Sequence, residues 1–206
     1  MNESMSSDNE QEEKINLIAL GNNEVGKTSF ILRYIENSFH NVYLTTVGID
    51  FQIKFITLPN KKPYKIYFYD TAGQEKFKTL SFNVVKYSDG IILIYDITNK
   101  LTFDSIPEWI ESINNIKDKD FPIILVGNKC DLENKREVPT EDGENLAKKY
   151  GISFFEVSNK TGNNIQECCQ DLIDKIIKRK EQFQKTDSNS KLSRSIYKSK
   201  NKKCEC

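Results

Sequence analysis

Apolar positions along the chain follow two rhythms. INLIAL (15–20), IILIY (91–95) and IILV (123–126) are short unbroken apolar runs, the pattern of strands covered on both faces. IDFQIKF (49–55) alternates instead. It sets Ile49, Phe51, Ile53 and Phe55 on one face and Asp50, Gln52 and Lys54 on the other, which predicts a half-exposed strand. PNKKP reads as a turn and YKIYFY as a further strand, so the two should pair as an antiparallel hairpin. Helical spacing fills the intervals. It runs through KTSFILRYIENSF, through Phe103, Ile106, Ile110 and Ile113, and through Ile165, Cys169, Leu172, Ile173, Ile176 and Ile177. Thr140 can cap a helix carrying Leu146 and Ala147, with Gly151 just past its end. Strands alternating with helices imply an α/β fold on a mostly parallel sheet, and such sheets bind ligands outside the carboxyl ends of their strands.

Composition adds boundaries to this pattern. Lys and Arg balance Asp and Glu at 30 each in 206 residues, but unevenly along the chain. Residues 1–13 read as a disordered acidic leader, 14–181 as one domain, and 182–206 as a disordered basic tail, since neither end has hydrophobic periodicity. No nucleic acid partner is expected. No apolar run approaches the roughly 18 residues of a membrane span, and no signal region opens the chain. The five cysteines match no zinc spacing and read as reduced cytosolic thiols.

The chemistry concentrates in GNNEVGKTS. Gly21, Gly26, Lys27 and Thr28 fit G-x-x-x-x-G-K-[ST] between a strand and a helix. Gly21, Asn22, Asn23, Glu24, Val25 and Gly26 would wrap a polyphosphate, with the N–H groups of Lys27, Thr28 and Ser29 pointing at it. Lys27 supplies charge for the outer phosphates, and the Thr28 hydroxyl can bind Mg²⁺. A second element, YFYDTAGQEKF, ends a strand in Asp70, whose carboxylate can orient the water shell of a metal. Gly73 can offer an N–H to the terminal phosphate, and Gln74 can position an attacking water. In VGNKCDL, Asn128 and Asp131 flank Lys129, whose stem can lie along a base plane. The Asp131 carboxylate can accept from the ring N–H and the exocyclic amine of guanine, a donor pair that adenine lacks.

With these residues in place, the sequence resembles a Ras-superfamily small GTPase, and within that superfamily the Rab family. The resemblance covers about residues 14–180 and rests on the order of GNNEVGKTS, TTVGIDF, DTAGQE and NKCD. It implies a P-loop small GTPase fold, with a six-stranded mostly parallel sheet, one antiparallel strand and about five flanking helices. It also implies that Thr46 ligates Mg²⁺ and senses the third phosphate, that Phe39 packs on guanine, and that Gln74, with Lys27, is catalytic. Ser158, Asn159 and Lys160, in EVSNK, stand where the family usually has Ser-Ala-Lys against the guanine oxygen. The family's cofactor is Mg²⁺, with GTP and GDP as substrate and product.

VGIDF and the terminal CEC favour Rab over a Ras- or Rho-type signalling GTPase. The ending resembles a geranylgeranylation site at Cys204 and Cys206. Two lipid chains anchor stably where one is marginal, and Lys198, Lys200, Lys202 and Lys203 add attraction to anionic headgroups. The implied partners are effectors, an exchange factor, a GTPase-activating protein, a GDP-dissociation inhibitor and the Rab escort protein. The implied location is the cytoplasmic face of intracellular or plasma membrane, cycling with the cytosol. The rival readings are a nucleotide-binding adaptor that has lost turnover and a P-loop kinase. Asn23 supports the first, and Gln74 and NKCD argue against the second. The chain departs from the family at Asn23 and Glu24, and in the aromatic cluster that partners read. There Phe51 matches, Tyr69 replaces Trp, and Val84 stands where Tyr is common.

Overall fold

The computed structural model describes residues 13–39, 46, 48–57, 62–71 and 78–201, with backbone alone at 78–81 and 185–201. Six strands form one sheet: β1 (Glu13–Leu20), β2 (Ile49–Thr57), β3 (Pro63–Thr71), β4 (Gly90–Asp96), β5 (Ile123–Asn128) and β6 (Ser153–Val157). Their spatial order is β2-β3-β1-β4-β5-β6. All pairings are parallel except β2 with β3, where Phe51 faces Tyr69 and Phe55 faces Lys65. This is the sheet expected from the sequence, with its one antiparallel strand at the edge.

The unbroken apolar runs form the centre. Every residue of β4 and of β5 is buried. On one sheet face, α1 (Lys27–Glu36) and α6 (Ile165–Asn201) bring Phe30, Ile31, Tyr34, Cys168, Leu172 and Ile173 against Leu17, Ile66, Phe68 and Ile92. On the other, α2 (Lys78–Val85), α4 (Ile106–Asn114) and α5 (Thr140–Tyr150) pack Val85, Trp109, Ile110, Ile113 and Ala147 against Ile18, Leu20, Leu93 and Leu125.

Three features differ from the sequence expectation. The single helix expected around Phe103–Ile113 is two, because α3 (Lys100–Asp104) stops at Ser105 before α4 begins. Pro107 lacks the N–H that would continue the ladder, so the count of described α-helices is six rather than about five. In β2 the apolar face is the one left open. Phe51 and Phe55 are 56% and 63% exposed, whereas Lys54 turns inward, its ammonium 3.9 Å from the centroid of the Tyr34 ring. Finally, Thr140 does not cap α5: it is the first helical residue, and Pro139, which has no side-chain acceptor, stands at the cap position. The last helix, α6, runs to Asn201, and no Gly or Pro stands between 165 and 201 to stop it. Residues 1–12, His40 and Cys204 and Cys206 lie outside the described residues.

Candidate functional site

The parallel strands all end at one edge, and the loop 21–26 joins β1 to α1 there. Two positions in it admit only glycine. Gly21 has φ +138° and a Cβ there would meet the Ile94 carbonyl oxygen at 2.1 Å. Gly26 has φ +96°, and its Cβ would lie 2.4 Å from Asn128 Nδ2 and 2.7 Å from Asn159 Nδ2. Val25 between them is fully buried, while Asn23 and Glu24 are exposed. Glu24 is left-handed at φ +61°.

Lys27 begins α1 and is 6% exposed. Its Nζ donates to the carbonyls of Gly21 (3.0 Å) and Asn22 (2.7 Å). Burial pulls its pKa down to about 8, against the Asp70 carboxylate. Ser29 follows Thr28, half-buried on the same turn. Thr28 Oγ1 donates to Asp70 Oδ2 at 2.5 Å, and Thr46 Oγ1 lies 2.9 Å from Thr28 Oγ1 and 3.2 Å from Asp70 Oδ2. Asp70 Oδ1 is buried and has no hydrogen-bond partner. Burial raises the Asp70 pKa, and the Thr28 hydrogen bond and the Lys27 charge oppose it. Two hydroxyls and a carboxylate with a bare buried oxygen are the hard donors that Mg²⁺ takes. The described residues hold no group of three His, Cys, Asp or Glu that would bind a metal alone.

The second half of the site is built on β5 and β6. Buried Asn128 ends β5. Its Nδ2 donates to the Val25 carbonyl (2.8 Å), and its Oδ1 accepts from the Asn159 N–H (3.3 Å). Lys129 is left-handed at φ +71°, and its Nζ lies 2.6 Å from Asp96 Oδ2. Asp131, exposed, accepts through Oδ1 from Ser158 Oγ at 2.6 Å. Asn159 Nδ2 donates to the Gly26 carbonyl at 2.9 Å, while its buried Oδ1 has no partner. Two carboxamides thus hold the phosphate loop at Val25 and Gly26. Lys160 is exposed. Phe39 is 36% exposed, with the Arg33 guanidinium 6.0 Å from its ring centroid.

A family model described as the Ras family matches residues 16–178. The chain belongs to the Ras family of small GTPases. Its relatives carry Rab names. Ras-related protein Rab-3C of Bos taurus is 38% identical over 182 residues, covering 88% of this chain and 80% of the relative. Ras-related protein Rab-13 of Bos taurus is 42% identical over 161 residues (78% and 79%), and Ras-related protein Rab-8B of Pongo abelii 41% over 178 (84% and 83%). It is therefore a Rab-type small GTPase, which binds guanine nucleotide and hydrolyses GTP, with the Rab role in vesicle trafficking.

For this GTPase the structure brings together the loop 21–26, Lys27, Thr28, Thr46, Asp70, Asn128, Lys129, Asp131, Ser158 and Asn159. Gly73 and Gln74 lie outside the described residues. Sequence reasoning missed the side chains behind them. Asn22 Oδ1 accepts from Ser105 Oγ (2.8 Å) and Trp109 Nε1 (2.9 Å), fixing the phosphate loop to the α3–α4 break. Asp96 pairs with Lys129, and Arg33 fastens the loop around Asn159. Asn22 lies within the recognised glycine spacing, but its side-chain partners, and the places of Asp96 and Arg33, have no signature there. The only signal for Arg33 is its place on the helix that Lys27 begins.

Proposed function

We propose that this Rab GTPase is a magnesium-dependent switch that closes around GTP and loosens around GDP while its carboxyl terminus holds it to a membrane. The observation that carries this reading is the meeting of Thr28, Thr46 and Asp70 beside Lys27, with Asp70 Oδ1 buried and unpartnered. Thr28 and Thr46 would hold the ion directly and Asp70 through water. Magnesium would offset charge on the outer phosphates. Lys27 Nζ would leave the carbonyls of Gly21 and Asn22 for phosphate oxygens. Asn128, Lys129 and Asp131 would face guanine, with Phe39 packed on it and the loop Ser158–Lys160 at its oxygen.

Thr46 precedes β2, while Thr28 and Asp70 stand on α1 and β3. Loss of the terminal phosphate would remove what draws the Thr46 segment in. In hydrolysis Gln74 would orient the attacking water, Gly73 N–H would hold the terminal phosphate, and Lys27 would absorb developing charge. FHNVYLTT contains no arginine, so turnover would be slow until an activating protein supplies one.

Effectors would read the open face of the β2–β3 hairpin, where Phe51 stands directly opposite Tyr69. Tyr69 and Val84 give that face a different shape from a Trp- and Tyr-bearing one. Residues 14–181 would be the nucleotide unit. The segment beyond would end in Cys204 and Cys206, geranylgeranylated and delivered by an escort protein to the cytoplasmic face of a membrane. No described helix is long and apolar enough to cross one. An exchange factor and a GDP-dissociation inhibitor would complete the cycle.

The test begins with the nucleotide carried by purified protein, followed by single-turnover GTP hydrolysis with and without Mg²⁺ and in Gln74→Leu. Bound GDP, and hydrolysis that needs Mg²⁺ and Gln74, are expected. Protein that carries no guanine nucleotide and takes none up with Mg²⁺ refutes the reading. Imaging of a tagged chain beside its Cys204→Ser/Cys206→Ser variant tests attachment, which the double variant should lose.

A further inference from the structure

Arg33 lies on α1 six residues after Lys27, about 9 Å farther along the helix. Its guanidinium donors go to the backbone of two different segments. Nε donates to the Asn159 carbonyl (2.7 Å) and Nη2 to the Lys160 carbonyl (2.7 Å). Nη1 donates to the carbonyl of Asn37 (2.9 Å) and to its Oδ1 (3.2 Å). Asn37 is the left-handed residue that ends α1, and Phe39 follows two positions on, under the same guanidinium. These bonds spend the cation on carbonyl oxygens, which lysine cannot bridge in this forked way.

The loop that Arg33 holds is the one that sets guanine recognition. Ser158 Oγ bonds Asp131, the carboxylate that accepts from guanine, and Asn159 N–H bonds Asn128. Within the loop, Gly162 N–H returns to the Ser158 carbonyl and Thr161 N–H to Ser158 Oγ. A pull at 159–160 therefore moves the hydroxyl that orients Asp131. We propose that Arg33 is a positioning residue of the guanine subsite: its fork locks loop 158–160 and the end of α1 leading to Phe39 into one unit. Base discrimination then depends on a side chain that touches no part of the nucleotide. The inference rests on the guanine-nucleotide reading above.

The test compares equilibrium affinities of the full chain for GDP, IDP and GMP with Mg²⁺ present, in the parent protein and in Arg33→Met and Arg33→Lys. IDP lacks the exocyclic amine that Asp131 accepts from, so GDP over IDP reports the base subsite. GDP over GMP reports the phosphate subsite. Arg33→Met should cut the GDP-over-IDP preference about ten-fold, the scale of charged hydrogen bonds lost from the loop, and leave GDP over GMP within about two-fold. Arg33→Lys keeps the charge without the fork and should behave like Arg33→Met. If Arg33→Met fails to fold, Arg33→Lys carries the test alone. An unchanged GDP-over-IDP ratio, or equal loss in both ratios, overturns the proposal. A parent protein that binds none of the three overturns the nucleotide reading instead.

Discussion

Replacing Asn22 with alanine should destabilise the protein by about 1 kcal/mol through one lost acceptor. Asn22 Oδ1 receives the Trp109 indole N–H at 2.9 Å and the Ser105 hydroxyl at 2.8 Å. These two donors respond differently to its removal. Ser105 Oγ has the carbonyls of Leu101 (3.1 Å) and Thr102 (3.0 Å) within reach and can turn to them. Trp109 is 6% exposed, so its indole N–H loses this bond in a place that water scarcely enters. A lost intramolecular hydrogen bond costs about 1 kcal/mol net, so the indole decides the outcome. For a domain of this size, each kcal/mol moves Tm by about 2–4 °C, giving a fall of that size.

The assay is thermal unfolding at fixed GDP and Mg²⁺, because bound ligand itself shifts Tm. Asn22→Asp keeps an oxygen acceptor at the same reach and should stay close to the parent, whereas Asn22→Leu should fall with Asn22→Ala. Equal Tm values for Asn22→Ala and the parent would refute the reasoning. So would an aspartate variant that falls as far as the alanine one, since that would show the acceptor is not what matters.

Gly26→Ala should abolish tight GDP binding, because its Cβ would displace both the Asn128 and Asn159 carboxamides at 2.4 and 2.7 Å; an equilibrium GDP titration within about ten-fold of the parent would contradict this. Glu24→Gly should raise Tm, since glycine accepts φ +61° at about 1 kcal/mol less cost, and should leave the GDP release rate unchanged because the side chain faces solvent. Asn159→Ala should speed GDP release about five-fold, the scale of one neutral hydrogen bond to Gly26; stopped-flow release at the parent rate would show that the Asn128 strut suffices alone. A chelator should accelerate GDP release, since Thr28, Thr46 and Asp70 offer too few ligands to hold Mg²⁺ against it, and an unaltered rate would count against the ion's place there.

What the sequence made legible was local. The runs that became β4 and β5 declared their burial because both of their faces had to be apolar. The glycine spacing marked the tight loop 21–26 because the backbone there has few alternatives. Alternation in β2 correctly divided two faces but not which one meets the core. On the inner side Tyr34 takes the Lys54 ammonium over its ring, a partnership with no local signature. The split at Ser105 hung on the single Pro107. The carboxamide of Asn159 meets Gly26 across 133 residues of chain, and Arg33 meets Asn159 across 126, so neither partnership has a local signature. The stretch 182–201 carries no hydrophobic periodicity, yet it contains no Gly or Pro, and α6 runs through it.

That unbroken α6 has a geometric consequence. A helix of 37 residues is about 55 Å long, and each residue turns the axis by about 100°. Ile165, Leu172 and Ile173 clock it against the sheet, so the compass bearing of every later position is inherited from the core. Inserting one residue after Phe183 would leave the packed half untouched yet swing everything beyond it by more than a quarter revolution. In this chain the aim of the far end is a matter of phase as well as length.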